Sequence, residues 1–264
     1  MLNPGNGISR IEHPTSFIVD TKMPINVHLF IPCFIDQLFP QVGIATVNIL
    51  RQLGCNLIYP EEQTCCGQPA FNSGYWKESA ALAERFLNIF SEADYIVVPS
   101  GSCASLVKNL YGELSISQKT QKQWRELRTN VYEFSEFLTS VLKVETWQGH
   151  FSGKVTYHDA CHGLRELGIS AEPRKLLKSI EGLEYIEMHR PDTCCGFGGT
   201  FAVKFAGIST EMVKDKTRWI QESGAEYVVS CDSSCLMHVD GYLKQQQIPI
   251  KTLHLAELLW QATQ

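Results

Sequence analysis

Ten cysteines stand in a chain of 264 residues, and eight of them fall into two sets with the same order and nearly the same spacing. Cys33 pairs with Cys161, the doublet Cys65-Cys66 with Cys194-Cys195, and Cys103 with Cys235, at offsets of 128, 129 and 132 residues. Their surroundings repeat too: Thr64-Cys65-Cys66-Gly67 returns as Thr193-Cys194-Cys195-Gly196, and Asp94-Tyr95-Ile96-Val97-Val98 resembles Glu226-Tyr227-Val228-Val229. Three cysteine features agreeing at nearly one offset mark a duplication. Four thiolates suit one tetrahedral metal or one cluster, because a cation-rich centre offsets their mutual repulsion. Spacing does not choose between iron and zinc, so one or two [4Fe-4S] clusters stand beside the alternative of structural zinc in one half. Disulfides fit less well, since bonding Cys65 to Cys66 would strain the peptide between them. The plainest alternative is that the thiols fill cores, the common role of a lone cysteine.

Residues so far apart in sequence meet only if a scaffold carries them to one place. The apolar runs 25–31, 56–59 and 95–98 read as short buried strands, separated by helical patterns over 37–53 and 73–90. The second half repeats this with strands near 154–158, 185–188, 227–230 and 250–254 and helices near 172–180, 207–222 and 236–246. A helix closes each half, 132–142 and 255–263. Strand alternating with helix predicts an α/β fold of two tandem, duplicated units, each a short, mostly parallel sheet flanked by helices. The cysteines then fall at the carboxyl ends of strands, where loops converge on the usual ligand crevice. The units are expected over 25–145 and 154–264, each able to bury its own core, with a polar, glycine-containing linker over 145–153 and an N-terminal extension over 1–24.

A net charge of −5 with no basic run argues against a nucleic-acid partner. No stretch approaches the roughly 18 to 20 apolar residues of a membrane span, which leaves peripheral membrane association open, and residues 1–22 lack the pattern of a secretion signal. The expected location is cytoplasmic, where thiols stay reduced and clustered cysteines read as metal ligands.

The two blocks, together with Pro99-Ser100-Gly101-Ser102-Cys103 and Tyr157-His158-Asp159-Ala160-Cys161-His162, resemble the CCG cysteine-rich domain family, to which a component of heterodisulfide reductase belongs. Cys65-Cys66-Gly67-Gln68-Pro69-Ala70-Phe71-Asn72-Ser73-Gly74 and Asp192-Thr193-Cys194-Cys195-Gly196-Phe197-Gly198-Gly199-Thr200-Phe201 look like its lactate-utilisation group, over about residues 25–262. The resemblance implies an iron–sulfur electron-transfer subunit of an L-lactate (2-hydroxy acid) oxidising complex, working with a LutB-like iron–sulfur subunit and a LutC-like subunit. Two other functions compete: a thiol or disulfide reductase of heterodisulfide-reductase type, and a zinc-stabilised interaction module. Many family members end each block with Cys-x-x-Cys, whereas this chain has Ser100 and Asp232 at the earlier position. Cys231, one residue from that position, is a candidate fifth ligand of the second set, with core packing as its alternative; Cys55 reads as packing.

His158, His162 and Arg165 surround Cys161 and are candidates to orient a small carboxylate, deliver a proton or tune a bound cofactor by hydrogen bonds. Their alternative role is to cap a strand and solvate a helix start. Beside Cys33 stand Pro32 and Phe34, so the two sites are expected to differ. His189 and His238 read as surface or satisfied core histidines. Gly196-Phe197-Gly198-Gly199 is loop geometry within the cysteine motif, and no dinucleotide fingerprint is present.

Overall fold

The computed structural model describes residues 24–264. The first half runs β1 (Asn26–Leu29), α1 (Cys33–Leu38), α2 (Pro40–Gln52), β2 (Asn56–Ile58), α3 (Gln68–Asn72), α4 (Trp76–Ile89) and β3 (Ile96–Val98). It continues through α5 (Gly101–Ser105), α6 (Gln118–Leu127), β4 (Val131–Glu133) and α7 (Phe134–Glu136). Single π-helical turns, Leu106–Leu110 and Phe137–Val141, prolong α5 and α7. The second half runs β5 (His150–Tyr157), α8 (Cys161–Leu167), α9 (Ala171–Lys178), β6 (Glu181–Tyr185), α10 (Thr200–Lys204) and α11 (Ala206–Glu222). It ends with β7 (Tyr227–Ser230), α12 (Ser233–Gln245), β8 (Lys251–His254) and α13 (Leu255–Ala262). The strands form two four-stranded sheets, β2-β1-β3-β4 and β6-β5-β7-β8, with every pairing parallel. The duplication seen in the cysteines therefore extends to strand order.

Parallel strands are covered by helices on both faces, so their side chains split between two cores. In β3, Val97 faces a core shared by both halves, while Ile96 and Val98 face an outer core with Ala83, Phe86 and Leu87 of α4. In β7, Val229 joins the shared core, and Val228 packs outward with Val213 and Ile220 of α11. The shared core gathers Ile49 and Leu50 of α2, Phe134 and Phe137, Leu176 of α9 and Leu258 and Leu259 of α13. The expectation that each unit buries its own core holds for the outer faces only.

Several local expectations are corrected. The helix expected over 132–142 begins with the strand β4, three residues that carry no readable period and pair only with β3. The single helix expected over 37–53 is broken at Phe39, and Pro40 starts α2 in the first turn, where its missing N–H removes no intrahelical bond. The second sheet takes residues 181–185 as β6 rather than 185–188. Helices α3, α6 and α10 lie outside the ranges where helices were expected. The expected linker contributes its last residues to β5, and Trp147 within it is buried, its indole N–H donating to the Leu259 carbonyl at 3.0 Å. The extension expected over 1–24 lies, but for Pro24, outside the described residues.

The halves meet closely where α5 crosses α8. A Cβ on Gly101 would stand 3.2 Å from Gly163 Cα, whereas a Cβ on Gly163 would meet nothing within 4 Å. Main-chain bonds reinforce this seam: Gly101 N–H donates to the Cys231 carbonyl at 3.2 Å, and Ser102 N–H donates to Asp232 Oδ2 at 3.0 Å. Gly101→Ala is expected to lower unfolding stability by about 1–3 kcal/mol through overpacking. Gly163→Ala is expected to be neutral or stabilising by up to about 1 kcal/mol, as for glycine replaced within a helix. Paired urea titrations check this, and equal costs would remove the asymmetry.

Candidate metal centre

Each cysteine of the two sets lies just beyond a strand. Cys33 and Cys161 open α1 and α8 after β1 and β5, Cys103 and Cys235 lie in α5 and α12 after β3 and β7, and each doublet lies in a loop ahead of a short helix. The departures at Ser100 and Asp232 are helix caps. Ser100 Oγ accepts from Cys103 N–H at 3.4 Å, and Asp232 Oδ1 accepts from Ser234 N–H at 3.2 Å. Both positions therefore orient the helix carrying the last cysteine of the set.

Within each set the sulfurs form a chain of contacts in the same order, Cys33–Cys65–Cys66–Cys103 and Cys161–Cys194–Cys195–Cys235. Cys66 Sγ lies 3.3 Å from Cys103 Sγ. Hydrogen bonds from Cys33 and Cys66 pull the Cys65 thiol down to about 3, and those from Cys161 and Cys195 pull Cys194 down to about 2. Their partners Cys33, Cys66, Cys161 and Cys195 are pushed upward, because neighbouring thiols share charge poorly and burial disfavours it. Gly67 N–H donates to Cys65 Sγ at 3.3 Å and Gly196 N–H to Cys194 Sγ at 3.4 Å, which favours the same two anions.

These glycines are required by backbone and by space. Gly67 and Gly196 have φ of +97° and +90°, and a Cβ on Gly196 would stand 2.8 Å from both Met212 Cβ and the Ser209 carbonyl oxygen. A serine one helix later holds each glycine: Ser79 Oγ donates to the Gly67 carbonyl at 3.2 Å and Ser209 Oγ to the Gly196 carbonyl at 2.8 Å. Ser79 and Ser209 went unremarked in the sequence, although their separation of 130 residues (209 − 79) fits the duplication. Asymmetric partners complete the supports. Tyr111 Oη donates to the Cys66 carbonyl at 2.7 Å, and His238 Nε2 lies 3.1 Å from Ser209 Oγ.

All eight cysteines line one cavity of about 150 Å³ at the junction of the halves. Contacts across the junction ring it: Gln68 Nε2 lies 3.3 Å from His162 Nε2, Phe34 meets Phe197 edge-on at 6.0 Å, and Ser73 Oγ lies 3.2 Å from Thr200 Oγ1. Gly198 and Gly199 line the cavity wall, as loop geometry requires.

The flanking candidates separate. His162 lines the cavity, with Nδ1 3.6 Å from Cys161 Sγ. Arg165 is exposed and points away, its guanidinium 3.5 Å from the Asp192 carbonyl. His189 packs edge-on to Trp219. His158 is buried, and a ring nitrogen of it and the sulfurs of Cys195 and Cys235 all lie within 4.8 Å of one another. Burial, with the nearby Lys216 ammonium, holds the imidazole down to about 3, so it is neutral. Lys216, unremarked in the sequence, is itself buried and donates to the carbonyls of Arg190 at 2.8 Å and Pro191 at 3.2 Å, pinning the turn that leads to Cys194.

Eight thiols, two of them drawn toward the thiolate form and met by glycine N–H groups, form a donor set that suits thiophilic metal centres. Fold and site together define a duplicated cysteine-rich α/β protein with a thiol-lined cleft between its repeats. The chain belongs to the CCG cysteine-rich domain family, which matches residues 27–108 and again 155–240. It is 43% identical over 235 residues to lactate utilization protein A of Geobacillus sp. (strain WCH70), covering 89% of this chain and 99% of that protein. It is 44% identical to lactate utilization protein A of Lysinibacillus sphaericus (strain C3-41), covering 85% of this chain and 98% of the relative. Among solved structures, a hypothetical protein from Helicobacter pylori shares the fold, with a TM-score of 0.58 at 10% identity over 92% of this chain and 50% of that one.

The structure places Cys231 apart from the eight. It is buried behind the cleft, 3.9 Å from Ser135 Oγ and near Tyr157 and Glu133, and it does not line the cavity. Cys55 packs in the shared core. Glu133 caps α7, its Oε2 accepting from Ser135 N–H at 2.8 Å and from the Ser135 hydroxyl, while Oε1 is buried without a partner. Burial pushes its carboxyl from the ordinary 4.5 up to about 7. The folded protein thus keeps this proton to higher pH than the unfolded chain, so the Glu133 contribution to stability falls as pH rises from 4.5 to about 7 and is level above. That interval corresponds to roughly 3 kcal/mol. Glu133→Gln removes the titration, so the variant's stability relative to wild type is expected to rise across this window. Urea midpoints at pH 4.5 and pH 8 check it, and a pH-independent difference would refute the assignment.

Proposed function

We propose that this chain is an iron–sulfur electron-transfer subunit of a system that oxidises L-lactate or a related 2-hydroxy acid. The observation that carries the reading is the repeated chain of four sulfurs, present twice on the walls of one cleft. Cys33, Cys65, Cys66 and Cys103 would hold one [4Fe-4S] centre, and Cys161, Cys194, Cys195 and Cys235 the other. Such centres, when bound, accept and release single electrons. The protein's part is to hold the thiolates, favour their charge with the N–H groups of Gly67 and Gly196, and keep the cleft walls apolar with Phe34 and Phe197. The substrate class comes from the lactate utilization protein A relatives. A LutB-like iron–sulfur subunit and a LutC-like subunit are the proposed partners, and the cytoplasm the proposed location. Residues 25–145 and 154–264 are the two proposed metal-holding units. Among the described residues no helix is long and apolar enough to cross a membrane.

Anaerobic purification followed by iron, sulfide and zinc analysis tests the reading. Iron and sulfide are expected in near-equal amounts, with a broad visible absorption that bleaches on reduction. Cys66→Ser and Cys195→Ser are each expected to lower the iron content by about half, and the double variant to abolish it. A protein holding zinc alone, with no iron–sulfur absorption after reconstitution, would sink the proposal and favour the zinc-stabilised module.

A further inference from the structure

The two sites share one plan but differ in the residue buried behind the sulfurs, outside the lining of the cavity. Three residues before the first cysteine of each set, the duplication places Phe30 in the first half and His158 in the second (158 − 128 = 30). Phe30 is fully buried and lies edge-on to Phe86 and Phe90, with ring centroids 5.0 and 5.8 Å away. It belongs to the same apolar cluster as Cys66. His158 is equally buried, at 1% exposure; the Pro191 carbonyl lies near enough to act on its ring, but neither ring nitrogen meets a hydrogen-bond partner at normal geometry. Its main chain is pinned on both sides: His158 N–H donates to the Val229 carbonyl at 2.8 Å, and its carbonyl accepts from Ser230 Oγ at 3.0 Å. A ring nitrogen lies beside Cys195 and Cys235, within 4.8 Å of both sulfurs. A buried polar group left unpaired is destabilising, so that nitrogen calls for a partner. The nearby Asp232 carboxylate accepts from the Ser234 and Ser102 amides and makes no hydrogen bond to the ring.

We propose that His158 is a direct metal ligand of the second centre, a nitrogen donor beside Cys195 and Cys235 that has no counterpart in the first. The inference rests on the reading that metal occupies this cleft, but not on whether the metal is iron or zinc. A neutral imidazole joining the four thiolates as a fifth donor adds no negative charge to the centre, whereas a further thiolate would.

The test uses the full chain, isolated anaerobically, with metal content measured first and the metal environment second. With iron bound, pulsed EPR of the reduced protein is expected to show a strongly coupled nitrogen whose pattern changes on labelling with [15N]histidine. That coupling is expected to persist in His162→Gln and His238→Gln and to vanish in His158→Phe, which copies the first site. Should His158→Phe fail to fold, the labelled wild type and the two control variants still assign the nitrogen. With zinc alone bound, X-ray absorption at the zinc edge showing an imidazole shell would uphold the ligand while overturning the iron–sulfur reading. Metal bound without a strongly coupled histidine nitrogen, or with a coupling that survives in His158→Phe, overturns the assignment of His158. A wild-type chain that takes up neither metal overturns both.

Discussion

Four sulfurs linked in a chain of contacts cannot all carry charge unless cations or hydrogen-bond donors hold it in place. The rest of this structure follows from that constraint. One thiol of each set, Cys65 and Cys194, is drawn down by its sulfur neighbours and by a glycine N–H, and the thiols flanking it are pushed up in response. The donor N–H points at sulfur only because Gly67 and Gly196 adopt positive φ in space too tight for a side chain. Ser79 and Ser209, one helix further on, hold those glycines by their carbonyls. Each layer exists to fix the one inside it, and the innermost is electrostatic.

A parallel sheet delivers such a set economically. Every strand ends on the same edge, so cysteines roughly 30 to 40 residues apart in sequence arrive at one place without long loops. Two copies of the sheet then put both edges on one cleft. The seam that joins them combines close backbone approach at Gly101 and Gly163 with hydrogen bonds from α5 to Cys231 and Asp232. Because the inner faces of both sheets drain into a shared core, the relative position of the two sulfur sets is set by packing rather than by a tether.

Duplication followed by divergence has left the copies unequal. Behind the first site Phe30 packs with Cys66, and the Tyr111 hydroxyl braces its loop; the second has His158 beside Cys195 and Cys235, Lys216 behind its loop and His238 against Ser209. Polar groups buried near clustered sulfur change the energy of adding an electron far more than they change the fold, because the low dielectric of the interior amplifies each charge and dipole. The asymmetry therefore bears on redox chemistry while the shared architecture bears on assembly.

Much of this was legible in the residue order. The cysteine offsets revealed the duplication, the alternating apolar runs revealed the parallel α/β class, and the sequence around Cys161 marked the second site as richer in polar groups. Short or ambiguous pieces escaped: β4 is three residues long, α1 and α2 are split by one bent residue before Pro40, and β6 lies upstream of its expected place. Burial and direction were also beyond reach. His158, His162 and Arg165 looked equivalent as neighbours of Cys161, yet one is buried against two sulfurs, one lines the cleft and one faces solvent. Cys231 looked placed to join the second set but points into a pocket with Ser135 and Glu133. Local pattern determined which residues could gather, because spacing and period are written along the chain. Which side chains turn inward, and that two sites share one cleft, only the tertiary packing decided, since orientation depends on neighbours brought from far along the chain.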